Sequence, residues 1–164
     1  VFILNKKIGI ACLLLLILFI VVGCNVPKTI TKIGYISNIS KENMQFDFDE
    51  IEWVRKNDIK RVEDLKLNQD TDFPNGFYIY NHSIDNTTYK LSKDATFEFL
   101  DENNNFSIKN TTYDEFIAHH NQLYNEFINP LLEDENIKDI NYFTPYWIEI
   151  KDDIVISIKQ QYVP

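Results

Sequence analysis

Pro145-Tyr-Trp-Ile-Glu-Ile150, Lys151-Asp-Asp153 and Ile154-Val-Ile-Ser-Ile158 form two alternating apolar runs around a short charged turn. Alternation at a period of two marks a half-buried strand, and two such runs about a polar turn mark a hairpin. The pattern puts Tyr146, Ile148 and Ile150 on one face, and Ile154, Ile156 and Ile158 on one face of the returning strand. A chain that closes on a hairpin needs further strands to bury that apolar face.

These are found upstream. Ile33 to Ser40 is β-branched and aromatic, with Gly34 permitting close backbone approach. Met44, Phe46 and Phe48 alternate with polar residues, and the apolar positions then shift by one to Ile51 and Trp53. A regular strand cannot turn both sets to one core, so a bulge or bend is expected at Asp49–Glu50. Asn57-Asp58 ahead of Ile59, Val62 and Leu65 reads as a short helix with an Asx cap. Residues 68–76 read as a loop ending in a turn. Phe77–His82 and Thr88–Leu91 are expected as strands joined by a turn at Asp85-Asn86, followed by a strand Thr96–Leu100 and a turn Asp101–Asn105.

Thr112-Tyr-Asp-Glu115 is a capping box that starts a helix at Tyr113, with an apolar stripe of Phe116, His120, Leu123, Tyr124 and Phe127. Pro130 interrupts it, and Asn129-Pro130 can begin a second short helix through Leu131-Leu132. The expected fold class is α+β: a small curved antiparallel sheet or partly open β-barrel of six or seven strands with two inserted helices. The Phe116 helix is expected to cover one open end. An oligomer-binding-type barrel fits the strand count, an analogy of architecture that carries no function.

The amino end carries an address. Lys6 and Lys7 precede an unbroken apolar run from Ile8 to Val22, which closes on Val21-Val-Gly-Cys24. At ~1.5 Å per residue this run spans about 22 Å, short of the ~30 Å hydrocarbon core a membrane-spanning helix must cross. Together these residues resemble a bacterial lipoprotein signal peptide with its lipobox. The resemblance implies that Val21, Val22 and Gly23 are read by a lipoprotein-type signal peptidase. It also implies that the Cys24 thiol accepts the lipid, so that the chain sits on the cell membrane facing outside the cytoplasm. The expected organisation is a signal peptide over 1–23, lipidated Cys24 and a polar tether over 24–32, and one globular domain over 33–164. Gly34-Tyr35-Ile36, Phe73 to Tyr80, Pro145 to Ile150 and Gln161-Tyr-Val-Pro164 further resemble uncharacterised exported domains of Gram-positive bacteria. No assigned activity comes with that likeness.

Composition narrows the function classes. The net charge of −9 becomes −11 once residues 1–23, with two lysines and no acid, are removed. Such a surface repels nucleic acid and anionic headgroups, so no nucleic-acid partner is expected. Cys12 leaves with the signal and Cys24 is used for the anchor, so neither a structural disulfide nor a thiolate nucleophile remains. The domain keeps only Gly34 and Gly76, too few for a phosphate-cradling loop or a dinucleotide fingerprint. No cofactor is expected.

Candidate chemistry is sparse. Adjacent His119 and His120 diverge by roughly 100° on a helix and do not grip one metal; Glu115 and His119 share a face but read equally as a surface pair. Asp70, Asp72 and Asn75-Gly76 have calcium-loop flavour, but Pro74 replaces a ligand and no glutamate closes the loop, so no metal site is assigned. Asp47, Asp49, Glu50 and Glu52 form the densest acidic stretch. Strand 77–82 is aromatic on both faces, so Tyr78, Tyr80 and Trp147 are the expected contact residues of an adhesive surface. The leading expectation is a non-enzymatic, lipid-anchored binding module for another envelope protein or a cell-wall component. The alternatives are an envelope hydrolase using acids such as Asp49 and Glu52, and an acidic inhibitor of cationic envelope enzymes.

Overall fold

The computed structural model describes residues 28–83, 85–125 and 144–164. In chain order its elements are β1 (Ile30–Ser40), β2 (Gln45–Arg55), α1 (Ile59–Asp64), β3 (Phe77–Tyr80), β4 (Asn86–Asp101), β5 (Ser107–Thr111), α2 (Tyr113–Leu123), β6 (Tyr146–Lys151) and β7 (Ile154–Gln160). Five strands close on themselves in the cyclic order β1-β2-β4-β7-β6. All neighbours in that ring are antiparallel except β4 and β7, which run parallel. The expected curved sheet is therefore a closed, mixed, mostly β barrel, with β3 and β5 as outer strands. Its winding resembles an oligomer-binding-type Greek-key barrel, a likeness of architecture only.

Phe46, Phe48, Ile148, Val155 and Ile158 fill the barrel, each at most 2% exposed. Gly34 is required there: a Cβ on it would lie 2.2 Å from the Asp49 carbonyl oxygen and 2.6 Å from the Phe48 ring. Helix α2 starts as its sequence predicts. Thr112 Oγ1 accepts from the Glu115 backbone N–H at 3.3 Å while Glu115 Oε2 accepts from the Thr112 N–H at 3.0 Å. Bonds donated to Oε2 by the Thr112 N–H, the Thr111 hydroxyl and the Thr112 hydroxyl hold the Glu115 carboxyl down at about 2. The helix buries Phe116 against Phe97 and Tyr146, with ring centroids 5.2 and 5.6 Å apart. Phe127, Pro130 and the second short helix expected at Leu131-Leu132 lie outside the described residues.

Several local expectations are corrected. The ladder between β1 and β2 runs without interruption through Asp49 and Glu50, so no bulge stands there. Both faces of β2 are instead covered. Phe46 and Phe48 face the barrel; further along the same face Val54 packs under Val62 and Phe73; and Ile51 on the opposite face packs with Ile33 and Tyr35. The bulge lies in the last hairpin. Its turn places Asp152 and Asp153 at φ 51° and 62°, the two left-handed residues that suit a tight hairpin. Ile150 pairs Val155 and Glu149 pairs Ser157, so Ile156 is the extra residue. The slip turns Val155 and Ile158 inward and leaves Ile154 41% exposed, contrary to the simple alternation.

Two expected strands, 88–91 and 96–100, are one strand of 16 residues with an irregularity between Leu91 and Thr96. β5 carries almost no buried side chain and had no periodic signal. The first strand begins at Ile30, inside the expected tether, because Ile30, Thr31 and Lys32 pair with β6.

Candidate functional site

β3 and β4 do not form the expected hairpin. They lie end to end along one edge of β2: Gln45–Asp49 pairs with Lys90–Asn86, and Glu52–Arg55 pairs with Tyr80–Phe77. Between the two ladders Glu50 and Ile51 have no pairing residue on that edge among the described residues. The break opens into a cleft of ≈ 660 Å³ lined by Glu50, Ile51, Glu52, Arg61, Leu65, Tyr80 and His82.

Each wall has a local cause. Helix α1 is capped by Asp58, whose carboxylate accepts from the Arg61 N–H at 3.4 Å. Val62, one residue on, anchors the helix in the cluster with Val54 and Phe73. This leaves Arg61 and Leu65, one turn apart, facing β2. Glu50, Glu52 and Val54 lie on one face of β2 by the period of two. Tyr80 pairs directly with Glu52 across the β2–β3 ladder.

The polar groups are already engaged with one another. Arg61 donates from Nε to Glu52 Oε1 and from Nη2 to Glu52 Oε2, both at 2.7 Å. Its guanidinium carbon sits 5.5 Å from the Tyr80 ring centroid. The Tyr80 hydroxyl and His82 Nδ1 are 3.4 Å apart. Glu50 is paired with Lys32, and that bond raises the lysine pKa. Because Arg61 and Glu52 are both substantially exposed, the pair contributes little to stability, and its importance is geometric. A forked ion pair fixes the direction of every remaining lone pair and N–H.

The other face of the same strands carries a different set. Trp53 stacks on Phe77 with centroids 4.0 Å apart and planes at 19°. Trp53, Ile79 and Trp147 pack against buried Ile33, Tyr35 and Ile51, and Trp147 Nε1 donates to Gln161 Oε1 at 2.7 Å. Asp49 also lies on this face, bonded to Asn81 Nδ2 at 2.9 Å. Burial raises the Asp49 carboxyl, with the Asp85 charge adding to it and the Asn81 bond opposing it. Burial, helped by Asp49, pushes the Tyr35 phenol up to about 12.

The sequence-predicted contact residues therefore divide. Tyr80 lies in the cleft, and Tyr78 lies on the same face but is packed against Phe73, 6.3 Å between centroids, in the cluster with α1. Trp147 belongs to the opposite face. They do not make one surface. Asp49 and Glu52 are likewise separated, three positions apart on a regular strand and so on opposite faces. Glu50 and Glu52 belong to the densest acidic stretch of the sequence, whereas Arg61 and Leu65 carry no site signal there. An arginine on a short capped helix, nine positions after a strand carboxylate, carries no motif.

Other candidates are placed elsewhere. Glu115 is bound to its own helix cap rather than to His119, whose ring stacks on Phe99 at 4.3 Å and reaches Gln160 at 3.2 Å. Asp72 turns back to accept from the Asn68 N–H at 2.7 Å, closing its own loop. Asp47 is held low by bonds from Thr88 and Asn38. Val21, Val22, Gly23 and Cys24 lie outside the described residues. Among the described residues no helix is long and apolar enough to cross a membrane. No family model matches the chain, and no curated protein and no solved structure is significantly similar to it.

Proposed function

We propose that the chain is a non-enzymatic binding module of the cell envelope, anchored to the outer face of the membrane through lipid on Cys24. Its ligand is a cell-wall component or another envelope protein, taken at the cleft between β2, β3 and α1. The observation that carries this reading is the state of the cleft's charged groups. Glu52 is forked to Arg61, Glu50 is tied to Lys32 and His82 meets Tyr80, so the lining is a fixed frame of donors and acceptors. A frame of that kind orients a ligand. Acid–base cleavage of a glycoside needs a carboxyl of raised pKa beside a free partner, whereas both cleft carboxylates are held by cations. Asp49, which does have a raised carboxyl, faces away from Glu52.

The anchor rests on the Lys6–Cys24 pattern. Two measurements test the reading. Labelled palmitate should enter the wild-type chain and not the Cys24→Ala variant. Purified cell-wall sacculi should sediment with the full chain in detergent, release no soluble fragments, and lose the chain when Arg61 and Tyr80 are both replaced by alanine. Fragment release from the sacculi, or sedimentation unchanged in the double variant, contradicts the proposal.

A further inference from the structure

We infer that the cleft takes an uncharged oligosaccharide, with Glu52 and Arg61 together gripping a pair of adjacent hydroxyls. This inference rests on the binding reading above and names the ligand class for that same site.

The argument begins with charge. Both lining carboxylates are neutralised by cations that point at them, Lys32 at Glu50 and Arg61 at Glu52. A cationic ligand would have to displace one of these partners. An anionic ligand would meet no net positive charge at these two pairs, on a chain of net charge −9. What remains is a neutral ligand. The lining rejects a flat hydrophobic one, because Leu65 is its one aliphatic side chain among the described residues, Ile51 being turned to the opposite face, while five side chains carry hydrogen-bonding groups.

Hydrogen-bond chemistry narrows the class further. Arg61 spends Nε and one Nη2 proton on Glu52, and no bond engages its Nη1 among the described residues. A guanidinium has five N–H donors, so unspent donors remain beside carboxylate oxygens that still hold free lone pairs. Donor and acceptor thus stand next to each other at fixed spacing. A vicinal diol matches both: each hydroxyl accepts from nitrogen and donates to oxygen. Hydroxyl-rich rings also present C–H faces, and the Tyr80 ring stands beside the fork. The volume of ≈ 660 Å³ falls in the range that holds a drug-sized ligand, which is the size of a short saccharide. A peptide adding as a strand fits less well, because on that edge of β2 only Glu50 and Ile51 lie between the two ladders without a pairing residue among the described residues.

The test uses the full chain in detergent micelles with two neutral probes, N-acetylated chitotetraose and maltotetraose, read by titration calorimetry and saturation-transfer NMR. At least one should bind below about 1 mM, the range of a small polar ligand on a few directed bonds. Arg61→Met keeps the stem and removes every N–H; it should weaken that binding by at least roughly tenfold. Tyr80→Leu should do the same, and Trp147→Leu, on the far face, should leave the affinity unchanged. Arg61→Lys, which keeps the charge but loses the fork, should also weaken binding, and it serves if the methionine variant loses its circular dichroism signal. No binding of either sugar at about 5 mM overturns the inference, as does equal binding by wild type, R61M and Y80L. Capture of a wall-type tetrapeptide in an Arg61-dependent manner, without sugar binding, also overturns it while leaving the binding module standing. Shortened sugar products in the NMR tube overturn both.

Discussion

Acid should loosen the barrel through one buried imidazole. His120 is 8% exposed on the inner face of α2, its Nδ1 3.2 Å from the Tyr146 hydroxyl and its ring 6.2 Å from that of Phe116. Burial, with a smaller contribution from the neighbouring His119, lowers its pKa from 6.5 to about 4. The sign follows from proton counting. Between those two values the unfolded chain binds a proton that the folded chain refuses, so stability is intact above pH 6.5 and falls as the pH drops towards 4. Integrating that difference gives a loss of about 2 kcal/mol between pH 7 and pH 5, and about 3 kcal/mol by pH 4. In a domain of this size the first figure lowers the melting temperature by roughly 8 °C.

The assay is urea unfolding of the full chain and of His120→Gln at pH 7 and pH 5, followed by circular dichroism. Glutamine can still reach the Tyr146 hydroxyl but does not titrate. The variant is expected to start less stable by about 1–2 kcal/mol at pH 7, from lost packing, and to lose little more on acidification. Carboxylates such as Asp49 and Glu115 titrate in both proteins and cancel in the comparison. Equal acid sensitivity of the two proteins would refute the reasoning, because the slope would then belong to groups other than His120.

Gly34→Ala should destabilise the fold by about 3 kcal/mol or abolish it, since the added methyl meets the Asp49 backbone as well as the Phe48 ring; chemical denaturation at neutral pH measures it. Ile154→Lys should change stability by less than about 0.5 kcal/mol while Val155→Lys prevents folding, a contrast set by the bulge at Ile156 and checked by thermal melts of both variants. Thr112→Ala should cost about 1 kcal/mol by deleting one half of the α2 capping box, and urea titration reads that loss. Raising the pH beyond 10 should destabilise the chain, because burial holds the Tyr35 and Tyr146 phenols above their unfolded values; alkaline melts should show the decline, smaller in Tyr35→Phe.

Much of the barrel could be read from the chain because its strands announce themselves by period. The last hairpin, β2 and the capped α2 each carry an alternation or a cap that local physics decides. The failures have equally local causes. A bulge consumes one residue and reverses the inside–outside order, so Ile154 and Ile156 looked like core and Val155 did not. β5 lies at the sheet edge with its side chains in solvent, leaving no hydrophobic pattern to detect. The short polar segment between Tyr80 and Asn86 has the composition of a reversing turn, yet the strands on either side of it pair with the same edge of β2. Composition marks where a chain leaves its strand, not where it goes next.

The cleft was hidden for a related reason, and β2 explains it. Its apolar residues change phase at Ile51, which a single buried face cannot accommodate. The chain accommodates the change by extending the strand past the barrel and covering each face separately. α1 and the Phe73 loop cover the Val54 side, while Trp53, Ile79 and Trp147 gather on the other. Once β2 outruns the barrel, β4 can no longer pair with its whole length, and a second strand must take over the remaining edge. The handover leaves Glu50 and Ile51 with no pairing residue on that edge among the described residues, and the helix that covers the extension brings Arg61 to Glu52 across that opening. The phase change that looked like a defect in one strand is thus the sequence signature of the site, though it specifies only that something must be added there. Which residues line the opening depends on the long-range pairing of β2 with β3, and on α1 folding back over it.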